Sequence, residues 1–178
     1  DTSLAVLQSG LDLLHSELLT PAQRAGTYRR MGDTAHKKGD QEQAIHYLKQ
    51  ALEILADPGD TQAWIEASLV YARLGWCYFM QSDADAAQQA VMKSMHYAGL
   101  AHNLTTLAMA ENYLGGILFR QGDLEQAMMH TRTAMAYWQE IGYSWGVAAA
   151  LSNLGILESV SGNWQAAYNS IKRSLDLR

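Results

Sequence analysis

Residues 108–138 read AMAENYLGGILFRQGDLEQAMMHTRTAMAYW. Two segments with apolar residues at helical spacing flank Gly122-Asp123. Glycine ends a helix by taking a left-handed conformation, and aspartate caps the next one. The stretch is therefore two helices joined by a tight turn. Taking Gly115 as a ruler, Leu114 precedes it, Gly122 and Asp123 follow at seven and eight residues, Ala127 at twelve, and Ala134 and Met135 at nineteen and twenty. The same offsets from Gly32 give Met31, Gly39, Asp40, Ala44, Ala51 and Leu52. From Gly75 they give Leu74, Ser82, Asp83, Ala87, Ser94 and Met95, and from Gly155 they give Leu154, Gly162, Asn163, Ala167, Ser174 and Leu175. The anchors stand 43, 40 and 40 residues apart. Periods of this length mark stacked supersecondary units.

Leu-Gly, then Gly-Asp, then a small residue, then Ala-Leu or Ala-Met resembles the tetratricopeptide repeat. The spacing is similar to its long subclass of about 40 residues, found in kinesin light chain, GoLoco-type adaptors and bacterial signal-transduction ATPase regulators. The resemblance implies an all-α fold, a right-handed α-solenoid of antiparallel helix pairs. It would hold one trailing helix of a preceding repeat (3–19) and four full repeats at 21–56, 61–98, 104–140 and 144–178. Residues 3–14 align with 44–55, so the sequence is expected to open mid-repeat and to belong to a longer chain.

Composition sets the limits. The 178 residues are 48% hydrophobic with a mean hydropathy of −0.18, and no apolar run is long enough to span a membrane. A net charge of −5 and a pI near 5.6 argue against direct nucleic-acid binding. One cysteine, Cys77, excludes an internal disulfide and points to a reducing, cytoplasmic setting.

Helices are expected at 21–38, 41–56, 61–81, 84–98, 104–121, 124–140, 144–161 and 164–177. Thr20-Pro21 starts the first of these. Asp40 with Gln43 and Asp123 with Gln126 have capping-box spacing; Asn163 is a further cap, and Asp83 is a cap without the box. Ala44, Ala87, Ala127 and Ala167 let each second helix approach its first.

A catalytic, metal or cofactor reading has little to stand on. None of the six histidines lies three or four residues from another, so no helical metal pair exists. The phosphate-binding pattern GxxxxGK[ST] is absent, and no GxSxG nucleophile elbow is expected. Cys77 reads as a core thiol, and Asp83 and Asp85 as helix-start acids. Trp138, Tyr143, Trp145 and Trp164 read as packing between the third and fourth repeats, with a convex interface as the alternative.

The resemblance places the binding groove on the first helix of each unit. The groove-facing offsets it implies collect Arg29, Arg30, Lys37, Arg73 and Arg120 against one acid, Asp33, on a chain that is acidic as a whole. Trp76, Phe79, Tyr113 and Phe119 interleave with the arginines, and Gly116 is expected to leave a pocket beside Tyr113 and Phe119. Aromatic residues with arginine are what binding hot spots are made of. The expected contact residues are Arg30, Arg73, Trp76, Asn112, Tyr113, Phe119, Arg120 and Asn153, with the two asparagines serving a peptide backbone. Trp76, Phe79 and Phe119 read equally as packing between first helices. The chaperone-tail clamp is disfavoured: Lys and Asn stand at none of its positions.

The expected function is a non-catalytic scaffold holding an acidic or mixed apolar protein segment, with homodimerisation through uncapped ends as a further possibility. The alternative is a sensor or autoinhibitory array in a bacterial transcriptional or signalling ATPase regulator.

Overall fold

The computed structural model describes residues 19–178. Apart from Leu19, the helix expected at 3–19 lies outside the described residues. Among those described there are eight α-helices and no strand: α1 (Pro21–Lys37), α2 (Gln41–Ile54), α3 (Thr61–Met80), α4 (Ala84–Leu100), α5 (Leu104–Gln121), α6 (Leu124–Glu140), α7 (Ser144–Val160) and α8 (Trp164–Asp176). Consecutive helices pair as hairpins, each pair packs on the next, and the first helices α1, α3, α5 and α7 lie side by side.

The anchor glycines explain the hairpin geometry. A Cβ on Gly75 would stand 2.6 Å from Val91 Cγ2 and 3.3 Å from the Ala87 carbonyl oxygen. On Gly115 it would stand 2.6 Å from Thr131 Oγ1 and 3.1 Å from the Ala127 oxygen, and on Gly155 2.5 Å from Ile171. The first helix is thus laid against the second helix's backbone at the buried alanine expected there. Glycine is required despite about 1 kcal/mol of lost helix propensity.

The core runs the length of the stack as three clusters. Leu48, Ala51, Ala67, Val70 and Leu74 join α2 to α3. Val91, Ala110, Leu114 and Ile117 join α4 to α5. Ala134, Trp138, Val147 and Leu151 join α6 to α7. Each cluster contains a second helix and the next first helix, so burial depends on neighbours.

Several local expectations need correction. The boxes expected at Gln43 and Gln126 do not form, although Asp40 and Asp123 do accept from those residues' backbone N–H groups. The cap N–H of Asp40 already donates to the Ala35 carbonyl, and that of Asp123 to Leu118, so no orphan donor remains for the glutamine. The full box is at Thr20 and Gln23. Asn163 makes no side-chain cap bond, whereas Asn103 accepts from Thr106 N–H at 3.0 Å. Helix α4 continues through Gly99 to Leu100, and α2 stops at Ile54, ahead of Asp57-Pro58-Gly59. In the turn after α4 the left-handed residue is His102, at φ 50°.

Ser82 takes the place of the turn glycine in the second repeat and holds φ 65°. A non-glycine residue there costs about 1 kcal/mol, but its Oγ accepts from Arg120 Nη2 at 2.8 Å. Ser82→Gly relieves the backbone and deletes that bond. We expect it to stabilise an Arg120→Ala background by about 1 kcal/mol and the native chain by less. Urea melts of the four proteins in the cycle measure the difference.

Candidate functional site

The wall formed by α1, α3, α5 and α7 changes character along its length. At one end a chain of ion pairs crosses from α3 to α1 and back. Arg29 Nε meets Glu66 Oε2 at 2.9 Å, Arg29 Nη1 meets Asp33 Oδ2 at 3.5 Å, and Arg73 Nε meets Asp33 Oδ1 at 2.9 Å. The acid missing from the sequence count is Glu66, one turn ahead of the groove positions considered on α3: two arginines and two acids pair, while Arg30, Lys37 and Arg120 leave the wall basic by a smaller margin than expected. Arg30 stands apart at an exposed position, donating to Thr27 Oγ1 at 3.0 Å.

Next along the wall, His36 Nδ1 lies 3.0 Å from Gln41 Oε1, and Trp76 Nε1–H donates to His36 Nε2 at 3.2 Å. This fixes the indole's edge. Its faces then meet Phe79 and Tyr113, with ring centroids at 5.4 and 5.3 Å. Arg120 also lies over Phe79: its guanidinium is 4.6 Å from that ring centroid and donates to the Phe79 carbonyl at 2.7 Å.

These rings border a cavity of about 420 Å³ lined by residues including Trp76, Phe79, Asn112, Tyr113, Gly116, Phe119, Asn153 and Ile156. Five of the eight expected contact residues, Trp76, Asn112, Tyr113, Phe119 and Asn153, converge here. Arg73 and Arg120 flank the cavity and are already engaged. Trp76 both packs between first helices and lines the cavity, so its two sequence readings coincide. Asn153 Nδ2 donates to Asn112 Oδ1 at 2.9 Å. Gly116 leaves the pocket expected of it: a Cβ there would meet only Phe79 Cζ, at 3.9 Å. Ile156 adds an apolar lining residue from α7. Burial raises the Tyr113 hydroxyl pKa, and neighbouring Arg73 partly offsets this.

Cys77 lies behind Trp76 in the core, 2% exposed. Burial pushes its thiol from 9.0 up to about 11, with Arg73 opposing and Asp33 adding. Native Cys77 is expected to react with iodoacetamide at pH 8 on the order of a hundredfold more slowly than the urea-unfolded chain, read by mass spectrometry. Between pH 9 and 11 the unfolded thiol loses its proton while the folded one keeps it, so this group lowers stability as pH rises through that window.

The aromatic group at the third junction divides. Trp138 is buried at 4% exposure, but Trp145 and Trp164 are 61% and 71% exposed and Tyr143 is exposed too. Packing accounts only for Trp138, because Gly146 admits its ring while the other three project from helix starts. The expectation that no GxSxG pattern occurs is corrected: Gly142-Tyr143-Ser144-Trp145-Gly146 has that spacing. A nucleophile elbow needs a strand-to-helix turn and a histidine partner. Here helix α6 precedes it, and Ser144 is an exposed first-turn residue. No group of three or more His, Cys, Asp or Glu able to hold a metal occurs among the described residues. No helix there is long and apolar enough to cross a membrane.

Helix pairs stacked through glycine-to-backbone contacts, with a continuous first-helix wall, define an α-solenoid. The chain carries tetratricopeptide repeats: profiles of that family match residues 25–57 and 106–178. Over 134 residues it is 30% identical to human SH3 domain and tetratricopeptide repeat-containing protein 2, covering 75% of this chain and 10% of that protein. The fold is similar to BtubC (BKLC) from P. vanneervenii, at TM-score 0.77 and 17% identity, over 92% of this chain and 66% of that one. It is also similar to Pseudomonas aeruginosa pilF, at TM-score 0.67 and 24% identity, over 86% and 61%. The chain thus spans less than two thirds of each.

Proposed function

We propose that the first-helix wall receives a segment of a partner protein, centred on the aromatic cavity between α3, α5 and α7. Tetratricopeptide repeats generally mediate protein–protein interactions. The observation that carries the reading here is the convergence of Trp76, Asn112, Tyr113, Phe119 and Asn153 on one concave surface. Stacked rings and amides make a binding surface, and no nucleophile–base pair stands among them. With Arg29 and Arg73 paired and Arg120 on Phe79, a mixed apolar segment suits the wall better than an acidic one. The 40-residue spacing is the basis for grouping the chain with the long-repeat adaptors.

The test is capture from lysate by the native chain and by Gly116→Leu, which fills the cavity. Partners missing from the variant, with circular dichroism unchanged, support the groove. Identical partner lists would remove it. The charge-reversal pair Arg73→Glu with Arg120→Glu is less clean, because it sets a new carboxylate beside Asp33 and uncovers Phe79.

A second reading is a sensor array in a regulator, with the cavity holding a small ligand or another part of the same chain. Its volume lies in the small-molecule range. Thermal shifts with a metabolite library separate this from partner binding. Homodimerisation through the exposed apolar face of α8, which includes Trp164, Tyr168 and Leu175, goes with either reading; a monomer by light scattering at high concentration removes it. The buried, unpaired Cys77 fits a cytoplasmic setting.

A further inference from the structure

We infer that the cavity takes one uncharged apolar side chain together with the backbone N–H and C=O of the residue that bears it, and rejects side chains of either charge. The inference rests on the groove reading and names what the groove recognises.

The walls set the first half. The cavity's lining includes Trp76, Phe79, Phe119 and Ile156 and no ionised residue. A cation in a ring-lined site normally sits on an aromatic face. Here Arg120 already lies over the Phe79 ring and Trp76 stacks against it, and Trp76 is itself packed against Tyr113. Arg120 and Arg73 also repel a second positive charge. An anion fares no better. Arg73 Nε is held by Asp33 and Arg120 by the Phe79 carbonyl and Ser82 Oγ, outside the cavity, so no guanidinium lines it. A charge of either sign would be desolvated against a lining that holds no ionised group.

The asparagines set the second half. Because Asn153 Nδ2 donates to Asn112 Oδ1, the pair's polarity is fixed. Asn112 keeps both N–H donors and Asn153 keeps its oxygen, with no other side-chain partner among the described residues. Both residues line the cavity. A donor beside an acceptor is the complement of one extended residue's own C=O and N–H, which point to the same side: the carbonyl would meet Asn112 Nδ2 and the N–H would meet Asn153 Oδ1.

The adjacent glycines separate packing from recognition. Gly115 is forced by Thr131 and the Ala127 backbone, whereas Gly116 faces open space with Phe79 at ordinary contact distance. A side chain at 116 therefore enters the cavity without forcing the helices apart.

The test is a ¹⁵N NMR titration of the whole chain with four probes: N-acetyl-leucinamide, its glutamate and lysine counterparts, and toluene. N-acetyl-leucinamide is expected to shift the Gly116 and Asn153 amides and the Trp76 indole N–H. The charged counterparts should bind about a hundredfold more weakly. Gly116→Leu should abolish the shifts with the melting curve unchanged. Asn153→Ala should weaken N-acetyl-leucinamide about tenfold and leave toluene untouched, which a merely structural asparagine would not do. Comparable binding of a charged probe, equal losses for toluene and the acylamide in Asn153→Ala, or no shift with any apolar probe would each overturn the inference. If lysate partners are still lost on Gly116→Leu in those cases, the groove stands and only its stated chemistry falls. If partners are indifferent to Gly116→Leu, the groove itself falls.

Discussion

Trp138→Ala is expected to destabilise the chain by about 3–5 kcal/mol, the range for deleting a buried tryptophan. The indole sits where α6 meets α7, in one cluster with Ala134, Val147 and Leu151. Gly146 on α7 admits it, since a Cβ there would overlap the indole ring. The indole Nε1–H is buried without an acceptor among the described residues, so part of what the ring contributes is offset by an unmet donor. Trp138→Phe removes that donor and keeps most of the ring, and should cost much less than the alanine change. Gly146→Ala should destabilise the native chain and be close to neutral beside Trp138→Ala, because the overlap is gone. Urea melts across this cycle measure the coupling. Additive effects would mean that Gly146 is needed for some reason other than the ring.

Gly115→Leu is the second large effect, expected to cost at least the 1–3 kcal/mol of an overpacked core. The new Cβ alone would meet Thr131 Oγ1, the Ala127 carbonyl and the Thr131 amide nitrogen. Two of these are backbone atoms and cannot rotate away, so α5 and α6 must separate. Thr131→Ala in the same chain removes one contact and should restore only a fraction. The neighbouring Gly116→Leu should leave the melt almost unchanged. A pair of adjacent glycines with opposite outcomes in stability and binding is the sharpest check on the site. Equal destabilisation by both would show that the cavity collapses when filled.

The fold was legible because each repeat states its geometry locally. A glycine on the first helix, an alanine twelve residues on, and an aspartate between them are short-range signals repeated in register, and the structure places α-helix pairs on them. The wall's aromatic content was legible for the same reason, since helical offsets carry Trp76, Tyr113 and Phe119 to one side. What escaped was pairing across repeats. Glu66 neutralises Arg29 from 37 residues away, and Asn153 meets Asn112 from 41. Offsets within one unit do not measure distances between units. Helix termini were also less readable, because the cap N–H of Asp40 and of Asp123 is taken by the preceding helix rather than by the expected glutamine.

The reach of Arg120 back to Phe79 and Ser82 has a mechanical consequence. It is a strut between the third repeat and the turn of the second, set next to the aromatic cavity. The opening between α3 and α5 is then governed by that strut as well as by apolar burial. Cutting it at either end would let this joint of the superhelix flex, changing the local pitch and the width offered to an incoming chain while the remaining joints stay stiff.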